Sequence, residues 1–161
     1  MSDKVNFVHI EVVHPDPEAA AQYMIDVFGG KRVERALAAR IEKYVDGIKL
    51  AHVLVGGTVF QFVKPNENLE SWKRQLDTSG PGVHNISFAI EDLEGVRASI
   101  EKNGGEILMH GDLNMKDILH YNGSDTFRTY VIDARRQVGM RWEIWEARAG
   151  WFGGGGAPEG A

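Results

Sequence analysis

The sequence predicts an α+β protein, two βαβββ modules forming an eight-stranded curved sheet with a central trough and helices outside. Three observations carry this: an internal repeat, a tight hairpin signal, and a chain long enough to pair two small units. The repeat comes first. VNFVHIEVV alternates as a half-buried strand does, HPDPE is a turn, and PEAAAQYMIDVF is an amphipathic helix stopped at Gly29-Gly30. GVHNISFAI, EDLEGVRASIEKN and Gly104-Gly105 then repeat that order. An offset of 76 sets Ile10 on Ile86, Val12 on Phe88, Asp16 on Asp92 and Gly29 on Gly105. An offset of 75 also matches one glycine of each pair, but it sets Ile10 on Asn85, so strand parity selects 76.

Each helix is followed by strands, expected at roughly 31–40, 48–55 and 58–64, and again at 106–110, 127–133 and 140–147. One four-stranded unit of this size has a sheet face to bury and is marginal alone, so two are expected to share one sheet. The modules are placed at 1–66 and 81–147, with 67–80 a linker and 148–161 a flexible Gly-rich tail. MHGDLNMKDILHYNGSD is a long loop expected across the mouth of the trough. In VLVGGTVFQF, Gly56-Gly57 fits a two-residue hairpin turn, which pairs Val55 with Thr58, Leu54 with Val59 and His52 with Gln61.

The chain of 161 residues is 43% hydrophobic and 25% charged, as a soluble globular protein is. A net charge of -5 offers no basic footprint for nucleic acid or an anionic membrane. Without cysteine, thiolate metal sites, thiol nucleophiles and disulfides are excluded. MSDKVNF lacks the apolar run of a signal peptide, and no segment approaches a membrane span. A cytoplasmic protein acting on a small molecule is the expectation.

Strand parity sorts the polar residues. Val8, Ile10 and Val12 belong under the first helix, which turns Phe7, His9 and Glu11 to the trough. His52 and Gln61 share a face with Leu50, Leu54, Val59 and Val63, which implies burial and so a need for polar partners. Glu143 lies opposite Trp142 and Ile144 on the last strand. Glu11 reads either as a carboxylate orienting His9 or as a rim charge, Arg128 either as a partner for a substrate carboxylate or as a solvated loop charge, and His14 as turn surface.

FVHIEVVHPDPEAAAQYMIDVFGG, DGIKLAHVLVGGTVFQFVKP, SWKRQLDTSGPGVHNISFAIEDL and GMRWEIWE, in that order, resemble the vicinal oxygen chelate (glyoxalase/bleomycin resistance/dioxygenase) superfamily. Among its families the local match is best to methylmalonyl-CoA epimerase. The resemblance implies a metal held by His9, Gln61 and Glu143, on the strands where metal-dependent members carry ligands. The fourth ligand of the family, a histidine, falls on Asn85, while His84 stands one place earlier on the opposite parity. A β-bulge would swing His84 inward instead. The epimerase glutamate three residues past the turn glycine falls on Leu50, counted from Gly47. His52, two places on, is the candidate replacement, either as fourth ligand or as general base.

The expectation is therefore a metal-dependent isomerase, epimerase or lyase working through an enolate-like intermediate. Its ligands are His9, His52, Gln61 and Glu143, and His52 and Glu143 are its catalytic residues. One divalent ion, Zn, Ni, Co, Mn or Fe, suits these nitrogen and oxygen donors. A homodimer is implied by the resemblance. Two alternatives stand beside it: an Fe(II)-dependent dioxygenase on His9, His52 and Glu143, and a metal-free small-molecule binding or resistance protein.

Overall fold

A computed structural model describes residues 5–33, 36–114 and 126–146. The elements run β1 (Val5–Val13), α1 (Pro17–Phe28), β2 (Lys31–Arg32), α2 (Ala36–Tyr44), β3 (Lys49–Val55), β4 (Thr58–Lys64) and α3 (Glu70–Ser79), then β5 (Gly82–Ile90), α4 (Leu93–Lys102), β6 (Glu106–Asn114), β7 (Thr126–Ala134), α5 (Arg135–Val138) and β8 (Met140–Glu146). The α+β class and the eight strands expected from the repeat are present, hydrogen bonded in the order β2-β3-β4-β1-β5-β8-β7-β6. Two compact units emerge. Among the described residues, one is His9–His84; the other joins Val5–Val8 to those from Asn85 to Glu146, so β1 and β5 each serve both. The repeat-based modules, by contrast, keep each strand whole.

In the His9–His84 unit, α1 begins at Asp16, whose Oδ1 accepts from the Ala19 N–H at 3.1 Å, with Pro17 in the first turn. Its apolar stripe meets one face of β3 and β4: Ala21, Ala51, Val53 and Phe62 are buried, with Met24, Ile25, Val12 and Phe60 against them. Burying each larger side chain here contributes about 1.5–3 kcal/mol. The hairpin has the expected register, Val55 with Thr58, Leu54 with Val59 and His52 with Gln61. Gly56 and Gly57 both take positive φ, 56° and 83°, which a two-residue turn matched to strand twist demands.

Three segments differ from expectation. Residues 111–114, expected within the long loop, continue β6 to Asn114, paired with β7. The strand placed at 31–40 is only Lys31–Arg32, and Ala36–Tyr44 is a helix. ALAARIEKY is built from strong helix formers, and that local preference outweighs the repeat template. Within the 67–80 linker, Glu70–Ser79 is a helix as well.

The second unit repeats the plan. Asp92 caps α4 through Gly95 N–H at 3.1 Å. Leu93, Val96 and Ile100 of the helix pack with Ile90, Tyr130, Ile132, Ala134 and Ile144. The glycine pairs add a detail. Gly29 and Gly104 hold positive φ, whereas a Cβ on Gly30 would meet Val53 Cγ2 at 2.8 Å and one on Gly105 would meet Ile100 Cγ2 at 2.3 Å. In geometry Gly29 therefore corresponds to Gly104, an offset of 75, although the strands and caps keep 76. The shift of one residue lies between cap and glycine, where α1 has 12 residues and α4 has 10. The loop residues 115–125, with His120 and Tyr121, and the tail fall outside the described residues, as does the side chain of His110.

Candidate functional site

The face of the first unit turned away from α1 carries a polar rung across three strands. Glu11 on β1 lies beside Gln61 on β4, and Gln61 opposes His52 on β3. Gln61 Nε2 donates to Glu11 Oε2 at 2.5 Å, and His52 Nε2 lies 2.6 Å from Gln61 Oε1. The carboxylate can only accept, so the amide orientation is fixed and Gln61 presents its oxygen to His52. His52 must then donate from Nε2, which leaves Nδ1 as its basic nitrogen. His9 stands edge-on to His52, ring centroids 6.3 Å apart at 71°. His9, Glu11 and His52 are 0%, 4% and 3% exposed, so parity placed all three on a buried face. Leu50, Leu54 and Val59 are half-buried and Val63 is buried on that face.

Helix α3 adds what the sequence did not reveal. Trp72 is buried and donates its indole N–H to Glu11 Oε1. It also stacks on His84, centroids 4.1 Å apart and planes 15° from parallel. His84 Nδ1 lies 3.8 Å from Glu11 Oε1, and its Nε2 is 2.6 Å from Ser71 Oγ. Glu11 is thus a hub rather than a rim charge. The only sequence signal for Ser71 and Trp72 was a tryptophan in a polar segment expected to be a linker.

In the second unit Ser87 on β5 lies beside Glu143 on β8. Ser87 Oγ is 2.7 Å from Glu143 Oε2 and 3.1 Å from Asn85 Oδ1, sharing its one proton between them. Burial pushes the Glu143 carboxyl above the ordinary carboxylate range, opposed by the hydrogen bond from Ser87. The question of His84 or Asn85 has a divided answer: His84 joins Glu11 and Trp72, and Asn85 joins Ser87, both buried. At Leu50 the side chain is apolar, and Glu42 of α2 accepts from its main-chain N–H. Arg128 pairs with Glu94 at 3.1 Å, and His14 bonds within its own turn, Nδ1 accepting from the Asp16 N–H at 3.0 Å.

A sequence profile of the Glyoxalase/Bleomycin resistance protein/Dioxygenase superfamily matches residues 8–118. The chain belongs to this superfamily. No curated protein sequence matches it significantly. Among solved structures, methylmalonyl-CoA epimerase from Mycobacterium tuberculosis is similar with 18% identity and a TM-score of 0.62, covering 92% of this chain and 93% of that one. A variant methylmalonyl-CoA epimerase of Streptomyces coelicolor, in complex with 2-nitronate-propionyl-CoA, has 17% identity and a TM-score of 0.60, over 91% and 100% of the chains. A hypothetical protein from Bacillus halodurans has 14% identity and a TM-score of 0.63, over 89% and 95%. At such identities the likeness concerns the fold. Among the described residues no helix is long and apolar enough to cross a membrane.

The donor chemistry of the first unit fits a divalent cation. His9 and Glu11 present ligand atoms within 4.8 Å of each other, and His52 and Gln61 stand beside them. Imidazole nitrogen, amide oxygen and carboxylate oxygen form the mixed set that borderline divalent ions accept.

Proposed function

We propose that the protein is a metal-dependent isomerase, epimerase or lyase of the vicinal oxygen chelate type, acting on a small carbonyl or acyl compound. The observation that supports it is the cluster of buried His9 and His52 with half-buried Gln61 in a member of this superfamily. His9 and Gln61 would hold the ion, with Glu143 joining on the family resemblance; Zn, Ni, Co, Mn and Fe are the candidates. A carbonyl oxygen has two lone pairs, so Gln61 Oε1 can keep the His52 N–H and still face a cation. The ion would supply Lewis-acid stabilisation of negative charge developing on a substrate oxygen.

His52 is then the proton carrier. Its Nε2–H is committed to Gln61, and Nδ1 takes the proton next to the substrate carbonyl, giving an enolate-like intermediate. Glu11 holds Gln61 and so sets the His52 tautomer from two residues away. Burial of Glu143 favours its protonated form and equips it to return a proton when it is not engaged as a ligand. Methylmalonyl-CoA, named with one of the similar epimerases, is a first compound to assay, but Leu50 stands where the resemblance places the epimerase base, which favours a different acyl or carbonyl substrate. The same reading makes the protein a cytoplasmic homodimer without nucleic-acid or membrane partners.

One observation favours a second reading, a metal-free small-molecule binder. His52, Gln61 and Glu11 already satisfy one another by hydrogen bonds. Metal content of protein purified without chelator decides between the two. We expect near-stoichiometric divalent metal, lost in His9→Ala and kept in His84→Ala. His52→Ala should keep metal while losing proton exchange into substrate if His52 is the base, and should lose metal if it is a ligand. Absence of metal after reconstitution would leave the binder.

A further inference from the structure

Ser71 and His84, which the proposed metal chemistry does not use, form an arrangement with Glu11. Ser71 Oγ is 2.6 Å from His84 Nε2, and His84 Nδ1 is 3.8 Å from Glu11 Oε1. The carboxylate beside Nδ1 favours the proton on that nitrogen. Nε2 is then the acceptor, and the serine hydroxyl donates to it. This is the polarity of a nucleophile and a base, with a carboxylate that acts on Nδ1 by its charge from 3.8 Å rather than by a hydrogen bond.

The surroundings support it. His84 and Glu11 are buried, at 2% and 4% exposure, while Ser71 is half-buried and so within reach of a reagent. Trp72 stacks flat on the imidazole and also donates to Glu11, so one side chain holds both partners of the serine. Ser71 lies in the first turn of α3, a helix of 10 residues with no side-chain cap at Leu69. Lys73 N–H donates to the Leu69 carbonyl at 2.8 Å, where the main-chain ladder of that helix opens. The N–H groups of the first turn have no intrahelical acceptor, which gives this end of the helix a partial positive charge.

We propose that Ser71 is an activated nucleophile that accepts acyl groups from activated esters and thioesters. Ser71 Oγ attacks the carbonyl carbon, forming the Oγ–C bond, as its proton passes to His84 Nε2. The C–S or C–O bond to the leaving group breaks with its electron pair, and the departing thiolate or alkoxide takes the proton from His84. Water, deprotonated by His84, then cleaves the acyl-serine and releases the acid.

The test is covalent labelling of the intact chain with a fluorophosphonate, located by peptide mass, beside the burst of 4-nitrophenolate from 4-nitrophenyl acetate. We expect one adduct on Ser71, none on that peptide in Ser71→Ala, and a burst of about one equivalent. His84→Gln should slow labelling by about 10²-fold, the usual contribution of a positioned base. Ser79→Ala, on the same helix, should label at the wild-type rate. Because His84 is buried, Ser71→Cys provides a second measure that leaves it in place: alkylation of this thiol by iodoacetamide should outpace that of Ser79→Cys by about tenfold or more. No adduct, an adduct elsewhere, a thiol in Ser71→Cys no faster than the one in Ser79→Cys, or unchanged labelling in folded His84→Gln would each overturn the proposal.

Discussion

The two units carry the same rung with different chemistry. In the first it reads Glu11, Gln61, His52; in the second the paired positions read Ser87, Glu143, Val131. The hydrogen bond between the first two members survives in both, Gln61 to Glu11 and Ser87 to Glu143. The third does not: the first unit ends in an imidazole, the second in a fully buried valine. His9 and Asn85 differ likewise at the repeat offset of 76. The backbone therefore fixes where polar groups meet, and the residue types decide what chemistry each rung offers. Among the described side chains, the imidazoles all belong to the first unit.

The largest expected effect breaks that comparison at its hub. Glu11→Ala strands the Trp72 indole, the Gln61 amide and the His84 ring together, and should cost about 3–5 kcal/mol in urea unfolding. Ser87→Ala at the matching place should cost only about 1 kcal/mol. Equal losses would mean that Glu11 is no hub. Next, Gln61→Glu sets a second carboxylate against Glu11. It should cost about 1–3 kcal/mol at neutral pH and recover as the medium is acidified and one carboxyl takes a proton, read by thermal melts across pH.

Glu143→Gln tests the opposite sign. A carboxyl whose folded pKa lies above its unfolded value destabilises the fold progressively as pH rises from the unfolded value through the folded one. The variant should therefore melt higher than wild type at neutral pH and match it in acid, while proton exchange into substrate falls. A lower melting temperature at pH 7 would show that the Ser87 bond outweighs burial.

The smallest effect concerns the helix starts. Glu18 and Glu94 occupy matching places; Glu18 pairs with Arg32, but Glu94 accepts from Tyr130 at 2.7 Å and from Arg97 and Arg128. Those bonds, the tyrosine hydroxyl first, hold Glu94 at a pKa of about 2. The stability from its ionised form is present above the unfolded value and disappears as pH falls toward 2. Tyr130→Phe should raise the Glu94 pKa measured by NMR, with under about 0.5 kcal/mol lost at pH 7 because solvent screens the cluster.

Much of this was legible in sequence because strands and turns write local signals. Period-two alternation placed His9 and Glu11 on one face, and Gly56-Gly57 fixed the register that opposes His52 to Gln61. Helix α2 was missed because the repeat suggested a strand where composition favoured a helix. The roles of Ser71, Trp72 and Glu11 were hidden for a different reason: Trp72 and Glu11 are 61 positions apart in sequence, and no local pattern announces such a contact. His84 illustrates the same limit, since parity states which face a residue leaves but not what a neighbouring helix brings to meet it.

The glycine pairs bear on how the two halves of such a molecule tolerate a difference in length. Between Asp16 and Gly29, and again between Asp92 and Gly104, the chain differs by one residue while the strand before and the crowded glycine after keep their places. A lost residue inside a helix turns everything beyond it by about 100°, and a left-handed glycine at the exit lets the next strand start afresh. Cap and glycine thus act as a pair of joints around a replaceable part. Transplanting the segment from Asp92 to Gly105 into the first unit, between strands that never notice the missing residue, is the exchange this architecture invites.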